Sequence, residues 1–245
     1  MTGIIAWGGF PMNQSPSLQT VLKDRCAAGQ GLVEHLLKYA QRPEVIILAL
    51  PRGGVPVAYE VATALKVDLD LMLVRKLGVP SRPEFAMGAI AGGGIRILND
   101  DALRAHSIDQ ASFDAVVARE TQELSRREQA YRGTRPPVQL KDRVVILVDD
   151  GLATGASMMA AIHAVRMQAP SRIVVAVPVG PLETVEALRS EVNEVICPLM
   201  PDWMVSIGYW YEDFSQTSDE VVVDLLARAW QREAHDHHSS RSPVP

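Results

Sequence analysis

Apolar and polar positions follow two rhythms along this chain. Five short runs are mainly apolar, most of them rich in β-branched residues: 45–50, 69–74, 144–149, 173–179 and 192–197. Such runs suit strands covered on both faces, as in a parallel sheet. Between and around them, apolar residues recur at helical spacing and predict helices over about 18–40, 54–66, 109–132, 155–168, 181–190 and 218–232. The stretch 155–168 follows Thr154-Gly155 and stops before Pro170, an ordinary helix terminator. The alternation predicts an α/β fold built on an open, doubly wound, mainly parallel sheet. Ligands of such sheets bind at the carboxyl ends of the strands, so the residues just after each strand are where chemistry is expected.

Three stretches depart from the rhythm. Residues 78–94 (GVPSRPEFAMGAIAGGG) carry five Gly and two Pro and read as a flexible loop. Residues 1–16 read as a loose leader, and 234–245 as a polar, mobile tail. The tail holds His235, His237 and His238, with nothing nearby to complete a buried metal site. The segment 17–233 is then the folded domain. With 47% apolar and 22% charged residues among 245, it can bury a sizeable core. A net charge of −5 gives no support for nucleic-acid binding, but leaves room for a local basic site for a phosphorylated small molecule. The two cysteines, Cys26 and Cys197, imply no disulfide framework and suit a reducing cytoplasm. No run of 18 apolar residues suggests a membrane span, and the first residues lack the features of a signal peptide.

The strongest chemical signal is VVILVDDGLATGAS at 144–157: a strand, two acids, a small-residue turn, then a helix. Gly151, Ala153 and Gly155 let a ligand approach the backbone closely. The N–H groups from Gly151 through Leu152 to Gly155 at a helix start favour an anion, and Thr154 and Ser157 add hydroxyls. Carboxylates repel phosphate, so Asp149 and Asp150 beside such a cradle point to a ligand that carries a diol next to its phosphate. Ribose 5-phosphate is such a ligand. Competing motifs are absent: the chain has no G-x-x-x-x-G-K-[ST], no G-x-G-x-x-G after a strand, no G-x-S-x-G at Ser157 and no H-E-x-x-H.

A second signal is LALPRGGVPVA at 48–58, where Arg52, Gly53 and Gly54 lead from a strand into a helix. A guanidinium suits the oxygens of pyrophosphate, and the alternative is a plain helix-capping turn. Arg75 and Lys76 follow the next strand, either to meet the same anion or as a solvated pair. Glu84 is either a site carboxylate or a surface one. Residues 198–214 gather Trp203, Tyr209, Trp210, Tyr211 and Phe214. These aromatics either stack on a base or pack as a satellite cluster over the sheet edge.

The segment 144–157 resembles the 5-phosphoribosyl-1-pyrophosphate (PRPP) motif of type I phosphoribosyltransferases. The Arg52-Gly53-Gly54 turn resembles their pyrophosphate loop. Residues 23–29 (KDRCAAG) resemble the start of one bacterial subgroup of predicted phosphoribosyltransferases, which also shows the PRGGVP, VRK and DDxxATG segments and a late Ser-Asp-Glu-Val, here 218–221. The resemblance spans about 20–227. It implies a type I phosphoribosyltransferase-like fold with a small hood at 198–214 and a loop at 78–94 that closes over substrate. It further implies displacement of pyrophosphate from C1 of PRPP by a nitrogenous base. Asp149 and Asp150 would hold the ribose, with one or the other also accepting the proton of the attacking base, the loop from Gly151 to Ser157 the 5′-phosphate, and Arg52, Gly53, Gly54, Arg75 and Lys76 the pyrophosphate. Trp203, Tyr209 and Tyr211 would face the base. Mg²⁺ is the implied cofactor, met by Asp150 through water, and the implied assembly is a homodimer. Arg25 either reaches the ligand or pairs with an acid, the second being favoured. Two other uses of the motif stay open: regulatory binding of PRPP or a nucleotide without transfer, and hydrolysis of a phosphoribosyl compound.

Overall fold

The computed structural model describes residues 21–80, 82–98, 104 and 108–239. The expected leader and the last six residues of the expected tail lie outside this range. In chain order the elements are α1 (Arg25–Leu36), β1 (Val45–Ala49), α2 (Gly54–Leu65), β2 (Asp68–Leu71), β3 (Val74–Val79), β4 (Arg82–Ala91), β5 (Ile95–Leu98), α3 (Gln110–Arg132), β6 (Val144–Val148), α4 (Ala156–Arg166), β7 (Arg172–Ala176), α5 (Leu182–Arg189), β8 (Glu194–Ile196) and α6 (Asp219–Ser239). Five strands form a parallel sheet in the order β2-β1-β6-β7-β8, and β3-β4-β5 form a separate antiparallel sheet. The chain is thus α/β, with a mainly parallel principal sheet.

Every residue of β1 and β6 is buried, because helices cover both faces. Val45, Ile47 and Ala49 of β1, with Val144, Ile146 and Val148 of β6, pack beneath α1, α2, α3 and α6. Ile46 and Leu48, with Val145 and Leu147, pack on the other face beneath α4 and α5. Each large aliphatic side chain so buried contributes about 1.5–3 kcal/mol, which is why these runs carry no polar residue. The Asp24 carboxylate caps α1 by accepting from Ala27 N at 2.8 Å. Within α1, a Cβ at Gly29 would lie 2.6 Å from Val57 O, so this glycine sets the close approach of α1 to α2.

Four expectations change. The run 69–74 is two strands: β2 stays in the parallel sheet, and β3 leaves it for the antiparallel one. The expected loop 78–94 is mostly β4 and a short 3-10 turn at Gly92–Gly94. Gly88 serves close pairing, since a Cβ there would meet Ile97 O of β5 at 2.4 Å. The helix expected over 18–40 begins only at Arg25, because residues 22–23 run extended beside 210–213: Leu22 N donates to Trp210 O at 2.8 Å and Asp213 N to Lys23 O at 2.9 Å. At the other end α6 continues to Ser239, past the start of the expected tail.

Candidate functional site

The site is built where β1 and β6 end side by side. After β1 the chain turns through Leu50, Pro51 and Arg52, with the Pro51–Arg52 peptide cis, and enters α2 at Gly54. After β6 come Asp149 and Asp150. The two turns touch. A Cβ on Gly54 would lie 2.7 Å from Val148 O and 2.9 Å from Asp149 Cα, and one on Gly53 would lie 1.9 Å from Asp150 Oδ2. Both glycines of the Arg52-Gly53-Gly54 turn are therefore needed for the acids to sit where they do.

The two acids differ in their partners. Asp149 Oδ1 accepts from the backbone N–H of Asp150 at 2.8 Å. Asp150 Oδ2 accepts from Arg25 Nε at 2.8 Å. Burial pushes the Asp149 carboxyl well above the usual carboxylate range, and the neighbouring Asp150 charge adds to that rise. Burial also raises Asp150, but the Arg25 guanidinium opposes it. The Tyr211 hydroxyl donates to the backbone carbonyl of Asp150 at 2.6 Å, so this residue is held from two sides.

The following turn leads into α4. Gly155 takes a left-handed conformation, φ 71°, just ahead of the helix, and Ala153 O accepts from the Thr184 hydroxyl at 2.9 Å. Ala153, Thr154 and Ser157 are exposed, as an anion cradle needs. Leu152 is not part of that surface: its side chain is buried and its N–H donates to Val179 O at 2.8 Å. Gly151 gives room to Ile207, whose Cγ2 would lie 2.7 Å from a Cβ there.

Arg52 and Asp219 lie 3.6 Å apart, and Asp219 accepts from the Tyr131 hydroxyl at 2.6 Å. Arg75 and Lys76 do not converge on one ligand. They are neighbours within β3, so they point to opposite faces. Arg75 binds Glu120 of α3 through Nε at 2.9 Å and Nη2 at 2.6 Å. Lys76 borders a cavity of about 610 Å³ between the small sheet and α4, which Ser157 also lines. The aromatic group divides likewise. Trp203 is 70% and Tyr209 57% exposed, whereas Trp210 and Tyr211 are buried. Tyr211 packs on Phe214 with ring centroids 5.0 Å apart, which leaves it no face for a base. The Glu84 side chain lies outside the described residues.

Arg25 pairs with an acid, as favoured, and that acid is Asp150. Asp219, Tyr131 and Glu120 were not singled out from the sequence as site residues. For Asp219 the signal was its place in Ser-Asp-Glu-Val. The other two are helix residues that only the packing brings to Arg52 and Arg75. Among the described residues, no three His, Cys, Asp or Glu side chains gather to hold a metal, and no helix is long and apolar enough to cross a membrane.

The fold is that of an α/β protein with a mainly parallel principal sheet, and the chain belongs to the phosphoribosyl transferase domain family, whose model matches residues 20–212. Two Mycobacterium tuberculosis proteins, from strains CDC 1551 and H37Rv and provisionally named phosphoribosyl transferases, are 44% identical over 206 residues, 84% of this chain. The match covers 46% of each, so the chain spans about half the length of these curated relatives. The crystal structure of TT1426 from Thermus thermophilus is similar with a TM-score of 0.75 and 43% identity, covering 85% of this chain and 98% of that one.

Proposed function

We propose that this chain transfers the 5-phosphoribosyl group of PRPP to a nitrogenous base and releases pyrophosphate. The observation that carries this reading is the contact between the two turns, in which Gly53 leaves no room for a methyl group beside Asp150. A diol-binding acid pair and an arginine-bearing glycine turn are thereby fused into one surface, as a ligand carrying both ribose and pyrophosphate requires.

The N–H groups at the start of α4, with the Thr154 and Ser157 hydroxyls, take the 5′-phosphate. Asp149 and Asp150 accept from the ribose hydroxyls. Arg52 and the N–H group of Gly53 take the pyrophosphate, whereas the expected donor Gly54 N–H is already given to Leu50 O at 3.1 Å. The base nitrogen then forms a bond to C1 with its lone pair as the C1–O bond breaks. Pyrophosphate leaves with the electron pair, and the proton of the base passes to Asp149 or Asp150. The protein contributes position and charge rather than a covalent intermediate. Two adjacent carboxylates are too few to cage a metal but fit Mg²⁺ held mainly by substrate oxygens and water, with Asp150 reached through water. Bound there, Mg²⁺ would offset charge building on the leaving group. Trp203 and Tyr209, exposed beside the site segment, are the aromatics available to an acceptor base.

The test is calorimetric titration of the folded protein with PRPP and Mg²⁺, repeated with Asp150→Asn, then a screen of bases for pyrophosphate release. Saturable binding lost in the variant, and release with at least one base, is the expected result. A folded wild type that binds no PRPP, with or without bases, refutes the proposal.

A further inference from the structure

Taking the acid pair as the ribose site, we propose that Arg25 is a positioning residue for Asp150 and ties that acid to the segment 207–215. Four observations converge on this. The Arg25 Nε to Asp150 Oδ2 bond of 2.8 Å is nearly closed to water, with the two side chains 12% and 11% exposed. The same oxygen is also crowded by the peptide at Gly53, where a Cβ would lie 1.9 Å from Oδ2 and 3.2 Å from Arg25 Nε. Asp150 Oδ2 is thus flanked by a peptide and a guanidinium. Arg25 is itself fixed: Nη1 donates to Ser215 O at 2.7 Å, and the guanidinium lies 4.0 Å from the centre of the Phe214 ring. The same segment reaches Asp150 a second time through Tyr211, whose hydroxyl donates to its carbonyl at 2.6 Å.

The chemistry asks for arginine. One planar group meets a carboxylate, a carbonyl and an aromatic face together, which a lysine ammonium cannot do. The Asp24 cap and the pairing of 22–23 with 210–213 fix the start of α1, so Arg25 reaches across from a rigid base. The 23–29 motif thereby has a place in the site although none of its residues need touch the ligand.

Ribose 5-phosphate and inorganic pyrophosphate, titrated separately, test this in wild type, Arg25→Gln and Arg25→Lys. Arg25→Gln is expected to weaken ribose 5-phosphate by about tenfold or more, the size of one charge-assisted hydrogen bond. Pyrophosphate, whose turn keeps its own arginine, should bind as before. Should Arg25→Gln not fold, Arg25→Lys carries the same test, with a loss of about threefold or more for ribose 5-phosphate alone. Equal weakening of both ligands would mean a general structural role and would overturn the inference. So would wild-type ribose 5-phosphate affinity in either folded variant. A wild type that does not bind ribose 5-phosphate overturns the proposed function, and this inference with it.

Discussion

Gly53→Ala isolates the contact on which the site is built. Gly53 has φ −61° and ψ −33°, a conformation alanine adopts without strain, so the whole effect comes from the added methyl. That methyl would lie 1.9 Å from Asp150 Oδ2 and 2.6 Å from Asp150 Cγ. To reach even 3.0 Å, the shortest real Cβ contact, the oxygen must retreat by at least about 1.1 Å. Arg25 resists that retreat, since its Nε already holds the oxygen at 2.8 Å and moving away stretches this bond. Overpacking of this kind costs about 1–3 kcal/mol. A misplaced carboxylate loses in addition one charged hydrogen bond to the ribose, about 1.5–3 kcal/mol or roughly tenfold and more in affinity. Gly31→Ala is the matched control. A Cβ there meets nothing within 4 Å, and the change should stabilise α1 by about 0.5–1 kcal/mol. Urea unfolding and titration with ribose 5-phosphate read both effects. If Gly53→Ala unfolds at the midpoint of Gly31→Ala and binds as tightly, the two turns do not meet as described.

The other predictions concern charges and thiols. Asp149→Asn should raise the thermal midpoint of the unliganded protein while removing ribose 5-phosphate binding. Burial and the Asp150 charge raise the Asp149 pKa on folding, so its contribution to stability is present at low pH and lost as pH rises. The advantage of the variant should therefore be larger at pH 8 than at pH 5, and a variant less stable than wild type at pH 8 contradicts the reasoning. Asp219→Asn releases Arg52 and should weaken pyrophosphate several-fold with ribose 5-phosphate unaffected; calorimetry showing the reverse split would refute the role given to Asp219. Burial pushes the Cys197 thiol up to about 12, so at pH 8 it should stay un-ionised and unreactive, while Cys26 is exposed. A thiol–disulfide reagent should label one cysteine in the native protein and two in denaturant, with mass spectrometry placing the native label on Cys26.

The central strands β1 and β6 were legible because burial on both faces leaves an uninterrupted apolar run. The same property hid a boundary. Between β2 and β3 the chain passes from one sheet to the other through Met72 and Leu73, which are 5% and 4% exposed. It never surfaces there, so no polar residue marks the change. In β4 the opposite holds: Gly88, which signals a loop, is here the residue that lets β4 and β5 approach. Arg75 and Lys76 were read as a pair because they are adjacent in sequence. In a strand adjacency separates side chains, and an alternating reading of 74–79 would have set Arg75 apart from Lys76. Likewise Tyr209 and Tyr211 look equivalent in the sequence, but only the packing against Phe214 shows that one of them is part of the floor.

The acids and arginines of the site also sort themselves by distance. A charge-assisted N–H···O⁻ bond closes at about 2.7–2.9 Å. Arg25 and Asp150 meet that limit at 2.8 Å with little exposure, so this pair is complete before any ligand arrives. A buried carboxylate without such a partner would be costly, which is reason enough for the pairing. Arg52 and Asp219 stand 3.6 Å apart, and the Arg52 side chain is 34% exposed. Here the acid holds the cation in place without saturating it, and pyrophosphate oxygens can take up the donors at a cost no larger than that of loosening an exposed pair. The two arginines thus differ in state: Arg25 is closed onto an acid, whereas Arg52 keeps donors that, on the proposed function, meet the charge of the leaving group.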